Sequence, residues 1–147
     1  MNSALVPPAG EYALRAAVCL VPLPPEGWMT AKDIAQRANV PPAFLAKVLR
    51  RLVQAGLLHG QRGHHGGFRL ARAPATIRVA DVLQAADVAL TAGGCAFGFA
   101  RCDAAAPCPL HDTYASLHLM LQAWARSTTL ADIDLQRLPA LPAPEPA

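Results

Sequence analysis

From Ile34 to Ala80 the chain contains no acidic residue, yet eight Lys and Arg fall in that span. Aromatic residues are 5% of the 147 and charged residues only 16%, against a usual ~25% charged. No apolar run reaches the ~18 residues of a membrane span. The stretch Ala16–Val21 lacks the basic start and small-residue cleavage site of a secretory signal, because Glu11 precedes it and Pro22 follows. A bacterial cytoplasm is therefore expected, with no membrane partner. There is no C-x-x-C pair, no Ser/His/Asp set and no phosphate-cradling glycine loop between a strand and a helix, which argues against an enzyme and a small-molecule substrate. The length also falls short of the ~250 residues of a catalytic barrel. What is abundant is apolar: 53% of residues are hydrophobic, enough for a core and too many for a disordered chain.

Charge is unevenly shared. Residues 1–80 carry ten Lys and Arg against three acids, and residues 81–147 carry three Arg against seven acids. A basic half joined to a mildly acidic one suggests a nucleic-acid-facing unit plus a second function, although a merely solvated basic surface gives the same arithmetic.

The basic half reads as a helix, two short helices with a tight turn, and a hairpin. Leu14, Ala17, Val18 and Val21 recur at helical spacing, so a first helix is expected over about residues 10–20. Thr30 with Asp33 three residues on resembles a capping box and opens a second helix ending by Asn39. Pro41-Pro42 can start a third, because proline's fixed φ suits a first turn. In that helix Leu45, Val48, Leu49 and Leu52 form the buried stripe. Ala43, Phe44, Lys47, Arg50, Arg51 and Gln54 occupy the opposite face, and Gly56 marks the stop. Two short helices of this kind form a helix-turn-helix, the rival being a plain helical hairpin. A strand before Arg62, a turn containing Gly63, His64, His65, Gly66 and Gly67, and the alternating Phe68–Arg72 segment predict a glycine-tipped wing. Its backbone and arginines can lie against phosphate, and His64 and His65 can reach a groove or stay solvated.

Residues 91–109 show neither helical nor strand period, yet hold Cys95, Cys102 and Cys108, with His111 just beyond. A structureless loop of that length needs something to tie it down. Disulfides are disfavoured in a reducing compartment. Structural zinc prefers pairs at C-x2–4-C, whereas iron–sulfur clusters accept wider spacings and a non-cysteine ligand. Three plain buried thiols are the remaining reading. Cys19 sits in the first helix and reads as a core thiol. A last long helix is expected over 110–126, with Tyr114, Leu117, His118, Leu121, Trp124 and Ala125 on one broad apolar face. It can pack in the protomer or against its counterpart in a dimer, and His118 within it reads as a satisfied packing residue. Residues 127–132 read as a cap and a short closing helix, and the Pro/Ala segment from Leu138 as disordered.

The runs Thr30–Ala35, Leu45–Leu49, Ala55–Leu58, Arg62-Gly63 with Gly66–Phe68, Cys108–His111 and Thr128–Asp132 together resemble the IscR/NsrR (Rrf-type) family of bacterial winged-helix regulators. The resemblance runs over about residues 9–135. It implies a mainly α fold with a small β-hairpin wing and a long C-terminal dimerisation helix. The parts would be a winged helix-turn-helix over 9–90, a cysteine loop over 91–110, a dimerisation helix and closing segment over 110–135, and a tail over 136–147. The function implied is a homodimeric transcription regulator, read as a repressor, whose operator affinity follows an iron–sulfur cluster sensing nitric oxide, redox state or cluster supply. By position, Cys95, Cys102, Cys108 and His111 would ligate the cluster, with Glu11 from the first helix of the partner subunit as the alternative fourth ligand. A two-iron cluster is preferred to a four-iron one. The DNA-facing set is Thr30, Ala43, Phe44, Lys47, Arg50, Arg51, Arg62, His64, His65 and Arg69, on a near-palindromic double-stranded operator. Two departures stand out. The first cysteine spacing is x6 where the family often has x5, and the recognition helix is less polar than in relatives. The alternative is a cluster-free, thiol- or zinc-dependent regulator of the same fold.

Overall fold

The computed structural model describes residues 5–90, 95–99 and 103–143. Helix α1 spans Pro8–Leu20, α2 Ala31–Ala38, α3 Pro42–Gln54, α4 Val79–Ala85 and α5 His111–Ser127, with strands β1 Leu58–Gln61 and β2 Gly67–Leu70 between α3 and α4. The local signals of the sequence act as expected. Thr30 Oγ1 accepts from the Asp33 N–H at 3.2 Å and donates to the Asp33 carboxylate at 2.8 Å, closing the N-terminus of α2. Asn39 ends α2 in the left-handed region at φ 50°, a conformation that Asn tolerates. Pro42 opens α3, and Gly56 turns the chain at φ 72° just beyond its end.

The core lies between α1, α2, α3 and α4. Ile34, Leu45, Leu49, Leu52 and Leu83 are each 1% exposed or less. Each contributes about 1.5–3 kcal/mol relative to an exposed side chain. Gly10 lets α1 approach α4 closely, since a Cβ there would press on Leu83 and on Val88 just beyond it. Cys19 packs partly buried against this core. Burial pushes its thiol pKa up, with Arg37 pulling the other way.

The wing is an antiparallel hairpin pairing Leu58 with Leu70 and Gln61 with Gly67. It has a third member the sequence did not announce. Met29 exchanges both backbone hydrogen bonds with Phe68, at 3.0 and 2.8 Å, so the segment before α2 extends the sheet. Gly66 and Gly67 make this possible. A Cβ at Gly66 would run into the Gln61 carbonyl, and one at Gly67, where φ is 142°, would strike the Met29 carbonyl. Gly67→Ala is therefore expected to unpair the wing from Met29 and lower thermal stability, whereas Gly63→Ala meets no neighbour and strains only its own φ. Comparing the two melting curves checks this, and equal midpoints would refute it.

The closing segment also pairs. Val79 N–H donates to Thr128 O and Leu130 N–H to Ile77 O, both at 2.9 Å, and the Thr129–Asp132 cap closes a 3₁₀ turn over Leu130–Asp132. One expectation needs correction. The Pro/Ala segment is not free as far as Ala143: Asn39 Nδ2 donates to Leu141 O and Arg15 Nη1 to Pro142 O, both at 3.1 Å. Proline-rich backbone has few donors of its own, but its carbonyls are good acceptors. In α5 the broad apolar face forms as expected, but the protomer covers only half of it. Tyr114, His118, Leu121 and Ala125 turn toward the protomer, while Leu110, Leu117, Met120 and Trp124 are 43–70% exposed. The His118 ring packs edge-on to Tyr114 at 4.6 Å, but its buried Nδ1 has no hydrogen-bond partner among the described residues.

Candidate DNA interface and cysteine site

Helix α3 presents Ala43, Phe44, Lys47, Arg50 and Arg51 on its exposed side, because the Leu45–Leu52 stripe commits the other side to the core. Phe44 is 52% exposed and leans on Tyr12 of α1 at 5.8 Å between ring centres. Arg62, His64 and His65 are exposed on and near the wing tip. Thr30 is exposed too, although its hydroxyl is already engaged by Asp33.

Two of the arginines expected to reach DNA have other partners. Arg69 stacks over Trp28 at 4.5 Å, donates to Pro25 O at 2.8 Å and faces Glu26 at 3.8 Å. Arg51 pairs with Asp87 at 2.9 Å and donates to Ala86 O at 3.3 Å. Sequence spacing carried no sign of either contact, because Trp28 and Asp87 lie about forty residues from their arginines. The outward basic group is thus Lys47 and Arg50 on the helix and Arg62 on the wing, with no acid on any of these elements.

The cysteine segment folds back on itself. Cys95 and Cys108 bring their Sγ atoms to 3.6 Å. Cys95, Phe99, Asp103, Cys108, Pro109 and His111 line one hollow. The Phe97 N–H beside Cys95 is the main influence holding its thiol below the ordinary range. Partial burial opposes it, and the Cys108 thiol and Phe99 N–H assist. The His111 N–H donates to Cys108 O at 3.0 Å, so the Cys108–His111 turn delivers the imidazole at the head of α5. Cys102 lies outside the described residues, as do Gly93 and Gly94. Glu11 does not line the hollow: it sits on α1, 3.6 Å from Arg15 one turn on. Asp103, missed from the sequence, stands at the hollow with its carboxylate accepting from Ala105 N–H at 2.8 Å. A carboxylate next to Cys102 was the signal that could have found it.

These donors fit a thiophilic metal group. Two thiolates on one tetrahedral ion, each about 2.3 Å from it, stand about 3.8 Å apart, close to the separation seen here. A lowered thiol pKa favours the thiolate that such a group requires. Among the described residues alone, no three donors close around a single point.

The sequence profile of the Rrf2 family, described as iron-dependent transcriptional regulator, matches residues 8–134. The chain belongs to the Rrf2 family. A Neisseria meningitidis serogroup A protein assigned as an HTH-type transcriptional regulator is 31% identical over 128 residues, covering 87% of this chain and 86% of its own. The HTH-type transcriptional regulator IscR of Photobacterium profundum is 28% identical over 124 residues, covering 84% of this chain and 72% of its own. Among solved structures, T. potens IscR is similar with a TM-score of 0.67 at 27% identity, over 88% of this chain and 85% of that one. CymR, the global cysteine regulator of B. subtilis, reaches a TM-score of 0.74 at 22% identity over 88% and 95% of the two chains, which shows the fold alone. This Rrf2-family chain is thus a DNA-binding transcription regulator of winged helix-turn-helix fold, and its relatives are named as regulators rather than enzymes. No helix among the described residues is long and apolar enough to cross a membrane.

Proposed function

We propose that this Rrf2-family chain acts in the bacterial cytoplasm as a homodimeric repressor, with operator affinity set by an iron–sulfur cluster in the cysteine loop. Cys95, Cys102, Cys108 and His111 would hold the cluster, with the partner's Glu11 as the alternative to His111. The observation that carries this is the meeting of Cys95 and Cys108 at 3.6 Å, with His111 at the same hollow. The iron-dependent description of the family and the IscR relatives support it. A two-iron cluster is preferred, since it accommodates a histidine ligand.

The cluster would supply a redox- and nitric-oxide-sensitive tie between three thiolates and a fourth group. The chain's own residues do the rest. Phe97 and Phe99 N–H groups stabilise the Cys95 thiolate, and the Cys108–His111 turn joins the loop to the start of α5. The exposed seam of α5 meets its copy. Two α3 helices then face successive major grooves ~34–36 Å apart, which calls for a near-palindromic site. Arg50 and Arg62 lie against phosphate, Lys47 and Phe44 lie near the base edges, and His64 and His65 follow the wing. Because control of binding requires a difference in affinity, the cluster-loaded and cluster-free forms must bind the operator unequally.

The deciding experiment is anaerobic purification with an ultraviolet–visible spectrum and iron, sulfide and zinc analysis. Coloured protein with matching iron and sulfide is expected, losing both in Cys95→Ala. His111→Ala and Glu11→Ala then choose the fourth ligand. Colourless protein that stays iron-free after cluster reconstitution overturns the proposal, and stoichiometric zinc in its place identifies the zinc-dependent alternative.

A further inference from the structure

The segment from Ala86 to Leu90 touches three helices and runs straight into the cysteine loop. Asp87 takes a left-handed conformation at φ 58°, rare for a residue other than glycine. Its carboxylate meets Arg51 Nη2 at 2.9 Å, while Arg51 Nη1 donates to Ala86 O at 3.3 Å. One guanidinium therefore grips both the carboxylate and the carbonyl at the end of α4, where a cation is favoured. Next in the chain, Val88 is 8% exposed and packs beside Gly10 of α1. Leu90 O accepts from Gln122 Nε2 of α5 at 2.8 Å. Four residues separate Leu90 from Cys95.

Arg51 belongs to α3, the recognition helix. Among the described residues, the Arg51 grip is the polar link between that helix and the segment leading to the first cysteine. A chain of contacts thus runs from Leu90, four residues before Cys95, back through Asp87 to the C-terminal end of α3. We infer that the Arg51–Asp87 pair couples the state of the cysteine loop to the orientation of the recognition helix, and that Arg51 is a positioning residue rather than a phosphate contact. This rests on the sensor function proposed above. When the loop is tied, Leu90 and Asp87 are fixed, and α3 is held through Arg51. When the loop is released, the turn at Asp87 is free to leave its left-handed conformation, and α3 loses that hold.

The pair is well exposed, with side chains 45% and 75% accessible for Arg51 and Asp87. Exposed pairs add little to stability, so breaking it should leave the fold intact. Asp87→Asn is the cleaner variant because Asn tolerates the left-handed region and touches no phosphate. The experiment measures operator affinity of cluster-loaded and cluster-free protein, at several salt concentrations, for wild type, Asp87→Asn, Arg51→Gln and the double variant, with melting curves as a check of folding. Wild type should show a ratio between the two states of at least about five-fold, the lower end of ordinary allosteric coupling. Both single variants should bring that ratio to within about two-fold of one, and the double variant should add nothing further, as expected of one shared contact. A phosphate contact would behave differently: Arg51→Gln would lower the slope of log affinity against log salt by about 0.9 per protomer, and Asp87→Asn would keep the wild-type ratio. That result, or a wild-type ratio retained in Asp87→Asn, overturns the inference and leaves the sensor proposal standing. A ratio of one in wild type overturns both.

Discussion

Glutamate at Leu117 and Met120 together is expected to turn the proposed dimer into a folded monomer and to lower operator affinity by about 10²–10⁴-fold, the loss that follows when a second linked contact disappears. The two side chains are 44% and 70% exposed in the protomer, and with Leu110 and Trp124 they recur at seven, three and four residues along α5. That is the a/d spacing of a two-helix seam. A solvent-facing apolar row of this kind is uncommon on a monomer. Two carboxylates brought into the seam from each copy would be buried beside one another and repel. None of these four residues belongs to the protomer core, so far-ultraviolet circular dichroism should remain that of wild type. Sedimentation and operator titration read the outcome directly. A double variant that stays dimeric would place the interface elsewhere, and a monomer that keeps full affinity would remove the need for a two-fold site.

The contrast within α5 shows where sequence reasoning stops. Helical spacing marked Tyr114, Leu117, His118, Leu121, Trp124 and Ala125 as apolar or semi-polar, but not which of them would be covered by the same chain. Ala125 is fully buried, while Leu117 and Trp124 are more than 40% exposed. Local signals were far more readable. Thr30 with Asp33, Pro41-Pro42, Gly56 and the Gly66-Gly67 tip each act within a few residues, and each fixed an element boundary or turn where expected. Contacts between distant residues left no such mark. Arg69 reaches Trp28, Arg51 reaches Asp87, and Arg15 reaches Pro142 across 127 positions. Composition can say that an arginine is present and basic, but only the fold decides whether its charge faces solvent or an acid. The cysteine loop is intermediate. Its spacing named Cys95, Cys102, Cys108 and His111, but gave no sign that the Cys95 and Cys108 thiols meet at 3.6 Å or that Asp103 stands at the same hollow.

The basic face of α3 yields the second large effect. Arg50→Ala should weaken binding to every DNA sequence alike, while Lys47→Ala should also alter preference at one base position in each half-site. The difference follows from place along the helix. Residues near the N-terminal end of a recognition helix enter the groove, and those further along meet the backbone. Lys47 shares the exposed first turns with Ala43 and Phe44, whereas Arg50 lies nearly a turn beyond, toward the end gripped by Asp87. Each neutralised phosphate contributes about 0.9 to the slope of log affinity against log salt, and a dimer presents every residue twice, so Arg50→Ala should reduce that slope by about 1.8. Loss of a Lys47 base contact would instead narrow the gap between the best site and its single-base variants by about 1–3 kcal/mol. Titrations at three or more salt concentrations, on an operator and its single-base variants, separate the two. An unchanged slope in Arg50→Ala would mean that α3 does not present this face to phosphate. Binding would then fall to the wing, where Arg62 is exposed while Arg69 is held by Trp28 and Pro25.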